Sequence, residues 1–174
     1  DQFLKTQPYD AEVIVAENAS SDRTAEITLE YAKTHPYIQL IQLKERGKGR
    51  AVKAGMLAAS GDYRFICDVD LSMPIEEIIK FLPPASDGYD ISIATREGEG
   101  ARRVDEPEYR HFMGRVNNWI IKIMALRDFE DTQCGFKMIR ARAAKALFSM
   151  QRLDRWGFDV EVLFPARKFG FRVS

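Results

Sequence analysis

No uninterrupted apolar stretch in this chain approaches the roughly 20 residues that a membrane-spanning helix needs, and the first residues lack the basic and apolar regions of a secretory signal. A soluble chain is expected, with peripheral membrane contact left open. Net charge is absent as well, because 26 basic residues balance 26 acidic ones. That balance excludes the global field that draws a protein to nucleic acid or to an anionic membrane, so any anion must be held locally. Cysteine is scarce: Cys67 and Cys134 stand alone without metal-ligand spacing, which removes a thiolate metal centre and leaves a reducing, cytoplasmic setting as the expectation. No internal repeat, low-complexity segment or linker divides the chain. Its 174 residues, 45% of them apolar, fit one globular domain with a sizeable core.

What is present is an alternation of short apolar runs with amphipathic ones. Glu12 to Ala16, Ile38 to Leu43, Tyr63 to Cys67, Asp90 to Ala94 and Phe136 to Ile139 read as strands, and another begins at Phe171. Asp22 to Lys33, Gly49 to Ala59, Ile75 to Leu82, Ala141 to Met150 and Phe158 to Phe169 read as helices, with Pro83, Pro84 and Gly88 marking a loop. Strands that alternate with helices predict right-handed crossovers and a mostly parallel sheet, hence an α/β fold. Glu97 to Pro107 breaks the rhythm with charge and glycine and predicts a long loop. A helix from Tyr109 to Leu126 is expected after it, its apolar stripe running from Phe112 to Met124.

The segment from Gly61 to Pro74, GDYRFICDVDLSMP, sends a strand into two carboxylates one residue apart. Ligands of an open α/β sheet bind beyond the carboxyl ends of its strands. On an extended chain alternate residues face the same side, so Asp68 and Asp70 can share one divalent cation that keeps open positions for phosphate oxygens. The alternative is that one Asp caps the helix begun at Pro74 and Ile75 while the other is solvated.

Four more stretches carry polar groups to sheet edges. VIVAENASSDRT places Glu17 and Asn18 after a strand, where a carboxylate and an amide can bind a base or ribose; capping of the next helix explains Asn18, Ser20 and Asp22 equally simply. In KERGKGRAVK, Gly47 and Gly49 flank Lys48 at a helix start, an arrangement that suits phosphate or is a plain turn, but it is no P-loop. Arg96 ends a strand and Arg115 follows the charged loop, both candidates for bidentate phosphate binding. DTQCGFK offers Asp131 as a general base and Gln133 as a substrate ligand, or an Asx-capped turn. In RWGFDVE, Asp159 is a candidate N-terminal cap and Trp156 a candidate pocket wall.

Taken in order, these segments resemble the catalytic domain of family 2 glycosyltransferases with a GT-A fold, and within it the polyprenyl-phosphate branch. EVIVAENASSDRTAEI is similar to the family's E-V-I-V-V-D-D-G-S-x-D-x-T segment, and RGKGRAVKAGMLAASGDYRFICDVDLS to its R-G-K-G run ending in D-A-D-L-S; DTQCGFK and RWGFDVEVLF resemble later signatures of the branch. The resemblance spans almost the whole chain. It implies a three-layer sandwich around a mostly parallel sheet, with residues 1–174 forming one catalytic domain that lacks the family's usual first strand and is incomplete at both ends.

The same resemblance implies roles. Asp68 would face nucleotide and metal, Asp70 would be the main metal ligand, and Ser72 a further one, with Mg²⁺ or Mn²⁺ as the cation. Glu17, Asn18 and Lys48 would line the nucleotide site, Glu17 and Asn18 standing where the family usually has two Asp residues. Arg96 and Arg115 would hold acceptor phosphate, and Asp131 and Gln133 would sit near sugar and acceptor. The implied reaction is the inverting transfer of a hexose from a nucleotide diphosphate sugar, of the UDP-glucose or GDP-mannose type, to a polyprenyl (dolichyl-type) phosphate at the cytoplasmic membrane face. A sugar hydroxyl acceptor, a nucleotidyltransferase and a non-catalytic nucleotide-sugar binding module remain the alternatives.

Overall fold

A computed structural model describes residues 2–70, 73–95 and 134–174. After a single helical turn, α1 (Gln2–Lys5), the segment Val13–Asn18, which opens with three β-branched residues, forms β1 and the Ile- and Leu-rich run Ile38–Leu43 forms β2. They pair in parallel, Val13 opposite Ile38 through Asn18 opposite Leu43. Parallel neighbours need a crossover, and α2 (Thr24–Ala32) supplies it. Asp22 sets its start: its Oδ1 accepts from the Thr24 amide at 3.0 Å and from the Thr24 hydroxyl. The helix α3 (Lys48–Ala58) then leads to β3 (Tyr63–Ile66).

Among the described residues β3 belongs to a second sheet, in the order β3, β5 (Lys137–Arg140), β4 (Ile91–Ile93). β5 runs antiparallel to both neighbours, with Ile66 opposite Lys137 and Ile93 opposite Lys137 at its start. Residues 172–174 extend this sheet beyond β4 through a parallel bridge between Ile91 and Val173, with Asp90 N donating to Arg172 O at 2.8 Å and Ser174 N to Ile91 O at 3.0 Å. Parallel pairing thus holds for β1 with β2 and for this last segment, while β5 is reversed. The alternation rule fixes direction only where one crossover joins consecutive strands, and the long stretch 94–136 between β4 and β5 is outside its reach. The helix expected over Ile75–Leu82 is a 3₁₀ helix over Ile75–Phe81 without a side-chain cap; so short a segment, stopped by Pro83 and Pro84, gains little from α-helical cooperativity. The expected loop 97–107 and helix 109–126 lie outside the described residues.

The second sheet is covered on both faces. On one, Ile66 and Ile139 pack with α3, α4 (Ala141–Met150) and α5 (Phe158–Lys168) through Met56, Leu147, Phe148 and Leu163. α4 buries Ala143, Ala144, Leu147 and Phe148, one helical stripe. On the other face Phe65, Phe81 and Phe136 meet edge to face, with ring centroids 4.4 to 5.8 Å apart. Each core side chain of this size stabilises the fold by about 2 kcal/mol on burial, and the two clusters hold the carboxyl end of β3 between them.

Candidate functional site

The ends of β1 and β3 are joined by the opening of α3. Asn18, the last residue of β1, accepts a hydrogen bond at Oδ1 from the Gly47 amide, 2.5 Å away. The next residue, Lys48, begins α3 and places Nζ 2.8 Å from Asp68 Oδ2. Both partners are partly open to solvent, so this is an accessible charged site and not core. Glu17 is buried and accepts from the Ser20 amide, which closes the turn that contains Ala19 at φ 54°. Of the residues expected to line a nucleotide site, Lys48 meets Asp68, while Asn18 holds the RGKG loop and Glu17 holds its own turn. Asn18 does not cap α2; the N-cap position is Arg23, which makes no side-chain cap bond, and Asp22 forms a turn ahead of it by accepting from the Thr24 amide.

The two glycines of that loop have a packing reason. A Cβ on Gly47 would sit 2.3 Å from the Asp154 carbonyl oxygen, and one on Gly49 would sit 2.5 Å from that of Leu153. The chain between α4 and α5 lies directly on the start of α3 and is tied there. Arg50 N donates to Asp154 O at 3.1 Å, Arg50 Nη2 meets Asp154 Oδ2 at 2.6 Å, and Gln151 Nε2 donates to Gly49 O at 2.9 Å. The carboxylates of Asp154 and Glu45 push the Arg50 guanidinium further up, and Arg50 in turn lowers Asp154. Trp156, 72% exposed, lies in this loop with its ring centre 5.1 Å from Lys48 Nζ, beside the Lys48–Asp68 pair.

Asp68 rests on Gly135. A Cβ there would fall 1.9 Å from Asp68 Oδ2. Behind it, Lys137 and Asp159 form an ion pair of 2.7 Å with side chains only 4% and 9% exposed, and Lys137 Nζ also donates to Cys134 O. Burial raises the Asp159 carboxyl above the ordinary range, with Lys137 opposing. Asp159 is thus an ion-pair partner and not the expected helix cap: the residue before α5 is Gly157, which makes no side-chain cap bond. Lys137 and Gly135 were not among the expected site residues. The signal was a lysine between Phe136 and Met138 in an apolar strand, which requires a buried acid somewhere else in the chain.

Asp70 lies two residues past Asp68 and is exposed. Desolvation and then the carboxylates of Asp68 and Asp70 raise the thiol pKa of Cys67, so negative charge gathers at this strand end. No cluster of three His, Cys, Asp or Glu side chains occurs among the described residues. Two hard carboxylates are the donor type that Mg²⁺ or Mn²⁺ takes, and by themselves they do not make a closed protein cage. Ser72, Arg96, Arg115, Asp131 and Gln133 lie outside the described residues. No helix among the described residues is long and apolar enough to cross a membrane.

Residues 1–148 match the family described as Glycosyl transferase family 2. A dolichyl-phosphate beta-glucosyltransferase of Trichomonas vaginalis is 37% identical over 170 residues, which cover 94% of this chain and 50% of that protein. The dolichyl-phosphate beta-glucosyltransferase of Drosophila melanogaster is 32% identical over 179 residues, 97% of this chain and 55% of that protein. The chain spans about half the length of these relatives. Among solved structures, a mycobacterial protein superposes with a TM-score of 0.62 at 17% identity over 99% of this chain and 56% of that one. Glucosyl-3-phosphoglycerate synthase from Mycobacterium tuberculosis in complex with uridine-diphosphate gives 0.55 at 19% identity, over 90% and 54%. At these identities the structural likeness concerns the fold.

Proposed function

The chain belongs to glycosyl transferase family 2 and has a GT-A type α/β fold, and from that premise we propose that it carries the catalytic part of an inverting hexosyltransferase. It moves a hexose from a nucleotide diphosphate sugar to a dolichyl-type polyprenyl phosphate. The observation that carries this reading is the meeting of Lys48 with Asp68, at 2.8 Å, where β1, α3 and β3 converge and Asp70 follows. A cation and carboxylates side by side suit a diphosphate and its counter-ion. The names of the relatives support the acceptor.

In this mechanism Asp70, with Asp68 and Ser72, would hold Mg²⁺ or Mn²⁺. When bound, the ion supplies Lewis-acid neutralisation of the charge that develops on the departing nucleoside diphosphate. Lys48 adds a point charge to the same phosphates, and Glu17 and Asn18 fix the turn and loop that border the nucleotide. An oxygen of the acceptor phosphate attacks the anomeric carbon, and the bond from that carbon to the diphosphate oxygen breaks, with its electron pair leaving on the nucleotide. A phosphate monoester, second pKa about 6, is already anionic at neutral pH, so no base is required. Arg96 and Arg115 align the acceptor, and Asp131 and Gln133 orient sugar and acceptor. With a sugar hydroxyl as acceptor, Asp131 would instead take its proton. A lipid acceptor and a cytoplasmic donor put the reaction at the cytoplasmic face of a membrane.

The test is transfer from a panel of UDP- and GDP-sugars to a short polyprenyl phosphate, with Mn²⁺ or Mg²⁺ and with chelator. Metal-dependent lipid-linked sugar supports the proposal and names the donor. Nucleotide-sugar binding without product, or release of pyrophosphate in place of nucleoside diphosphate, overturns it.

A further inference from the structure

We propose that the Lys137–Asp159 pair is a positioning strut for the site, fixing the backbone on which the Asp68 carboxylate rests. The inference takes the reading of Asp68 given above as its starting point. Lys137 opens β5, the middle strand of the second sheet, and faces α5, where Asp159 receives its Nζ at 2.7 Å. Around the pair stand Ile66, Ile139, Phe148, Phe158, Val162 and Leu163. In such surroundings the desolvation of two charges cancels most of their attraction, and an apolar pair of similar volume is commonly as stable or more so. Stability alone gives the pair no advantage.

An apolar pair lacks a second bond that Lys137 makes. Its Nζ also donates to the carbonyl of Cys134, three residues back, where the chain enters β5. That bond anchors Cys134 and, with it, Gly135. Gly135 in turn is in contact with Asp68: a Cβ there would lie 1.9 Å from Oδ2 and 2.5 Å from Cγ. A continuous line of contacts therefore runs from α5 through Asp159, Lys137, Cys134 and Gly135 to Asp68, and on to Lys48 at 2.8 Å. Small displacements of reacting groups have large effects on rate. Lys137 and Asp159 touch neither substrate nor cation in this scheme; they act through Gly135.

The test is the double variant Lys137→Met with Asp159→Leu, which removes the charges and the bond to Cys134 but keeps apolar volume. Either single variant leaves a buried charge unpaired and is expected to lower Tm, so the single variants serve only as stability controls. For the double variant a Tm at or above that of the parent is expected. Deuterium exchange of the amides from Gly135 to Met138 should be faster, and kcat of sugar transfer should fall about tenfold or more with a smaller change in the donor KM. Parent-like exchange together with parent-like kcat would overturn the strut. Should the double variant unfold, Lys137→Met with Asp159→Asn, which removes both charges and keeps a polar group in α5, is read in the same way. If the parent itself transfers no sugar, the functional reading fails while the exchange comparison still decides the strut.

Discussion

Lys48 and Asp68 form a 2.8 Å ion pair that joins the opening of α3 to the end of β3. Each is also held from behind. Gly47, next to Lys48, is tied to β1 by Asn18, and Asp68 rests on Gly135. Residues of both sheets therefore hold the pair, through a side chain on the backbone of Gly47 and through the backbone beneath the Asp68 carboxylate.

If Lys48 contributes a charge to the donor phosphates, Lys48→Met should weaken nucleotide-sugar binding by about 10- to 100-fold, the range of one charge-assisted hydrogen bond. Stability should change little, because the pair with Asp68 is partly solvated and such pairs contribute about 0 to 1 kcal/mol. Calorimetric titration beside a thermal melt separates the two. Binding equal to that of the parent would remove Lys48 from the nucleotide site.

Asp70 is exposed and belongs to neither apolar core cluster. Asp70→Asn should leave Tm within a degree or two of the parent, as ordinary surface substitutions do. It should reduce metal-dependent transfer on the order of 100-fold or more, since a carboxylate ligand of the cation is lost. A rate close to the parent's would contradict the metal assignment.

The glycines flanking Lys48 give a prediction about stability. Added methyl groups at Gly47 and Gly49 would press into carbonyl oxygens at 2.3 and 2.5 Å, and backbone is less able to yield than a side-chain tip. Gly47→Ala and Gly49→Ala are each expected to destabilise by about 1 to 3 kcal/mol. Gly61→Ala, whose nearest neighbour is at 3.5 Å, is the control and should be near neutral. Urea midpoints of the three variants test the ordering.

The strand and helix order was legible because each apolar run is short and bounded by Gly, Pro or a polar cluster, and Asp68 and Asp70 stood out because a buried strand ended in them. The direction of β5 was not legible, because the stretch 94–136 separates it in sequence from β4 and the alternation rule sets direction only across a single short crossover. Nor was the packing role of the RGKG glycines legible from local sequence. Flexibility and phosphate binding explain them at short range, but the atoms that exclude a side chain belong to Leu153 and Asp154, about a hundred positions away. Lys137 was hidden for a similar reason, since it lies in β5 and its acid in α5.

Glu12 offers a pH test. It precedes β1, and its Oε1 accepts from the Ser60 amide at 2.6 Å, the Ser60 hydroxyl at 2.7 Å and the Gly61 amide at 3.0 Å, just before β3. This carboxylate clasps together the chain entering the two sheets, opposite the edge where Lys48 and Asp68 meet. The Ser60 hydroxyl bond is the main cause of a lowered pKa; burial opposes it, and the amides and Arg64 assist. A lowered folded pKa means that its stabilisation is present above the unfolded value of about 4.3 and is lost as pH falls through the folded value below that. Glu12→Gln should therefore be less stable than the parent by about 1 kcal/mol at pH 7. The difference should persist down to about pH 5 and shrink toward pH 3, as the parent's own carboxylate takes up its proton. Denaturant midpoints of parent and variant across that range check the sign, and a difference that grows as the pH falls would show that Glu12 does not stabilise the clasp as an anion.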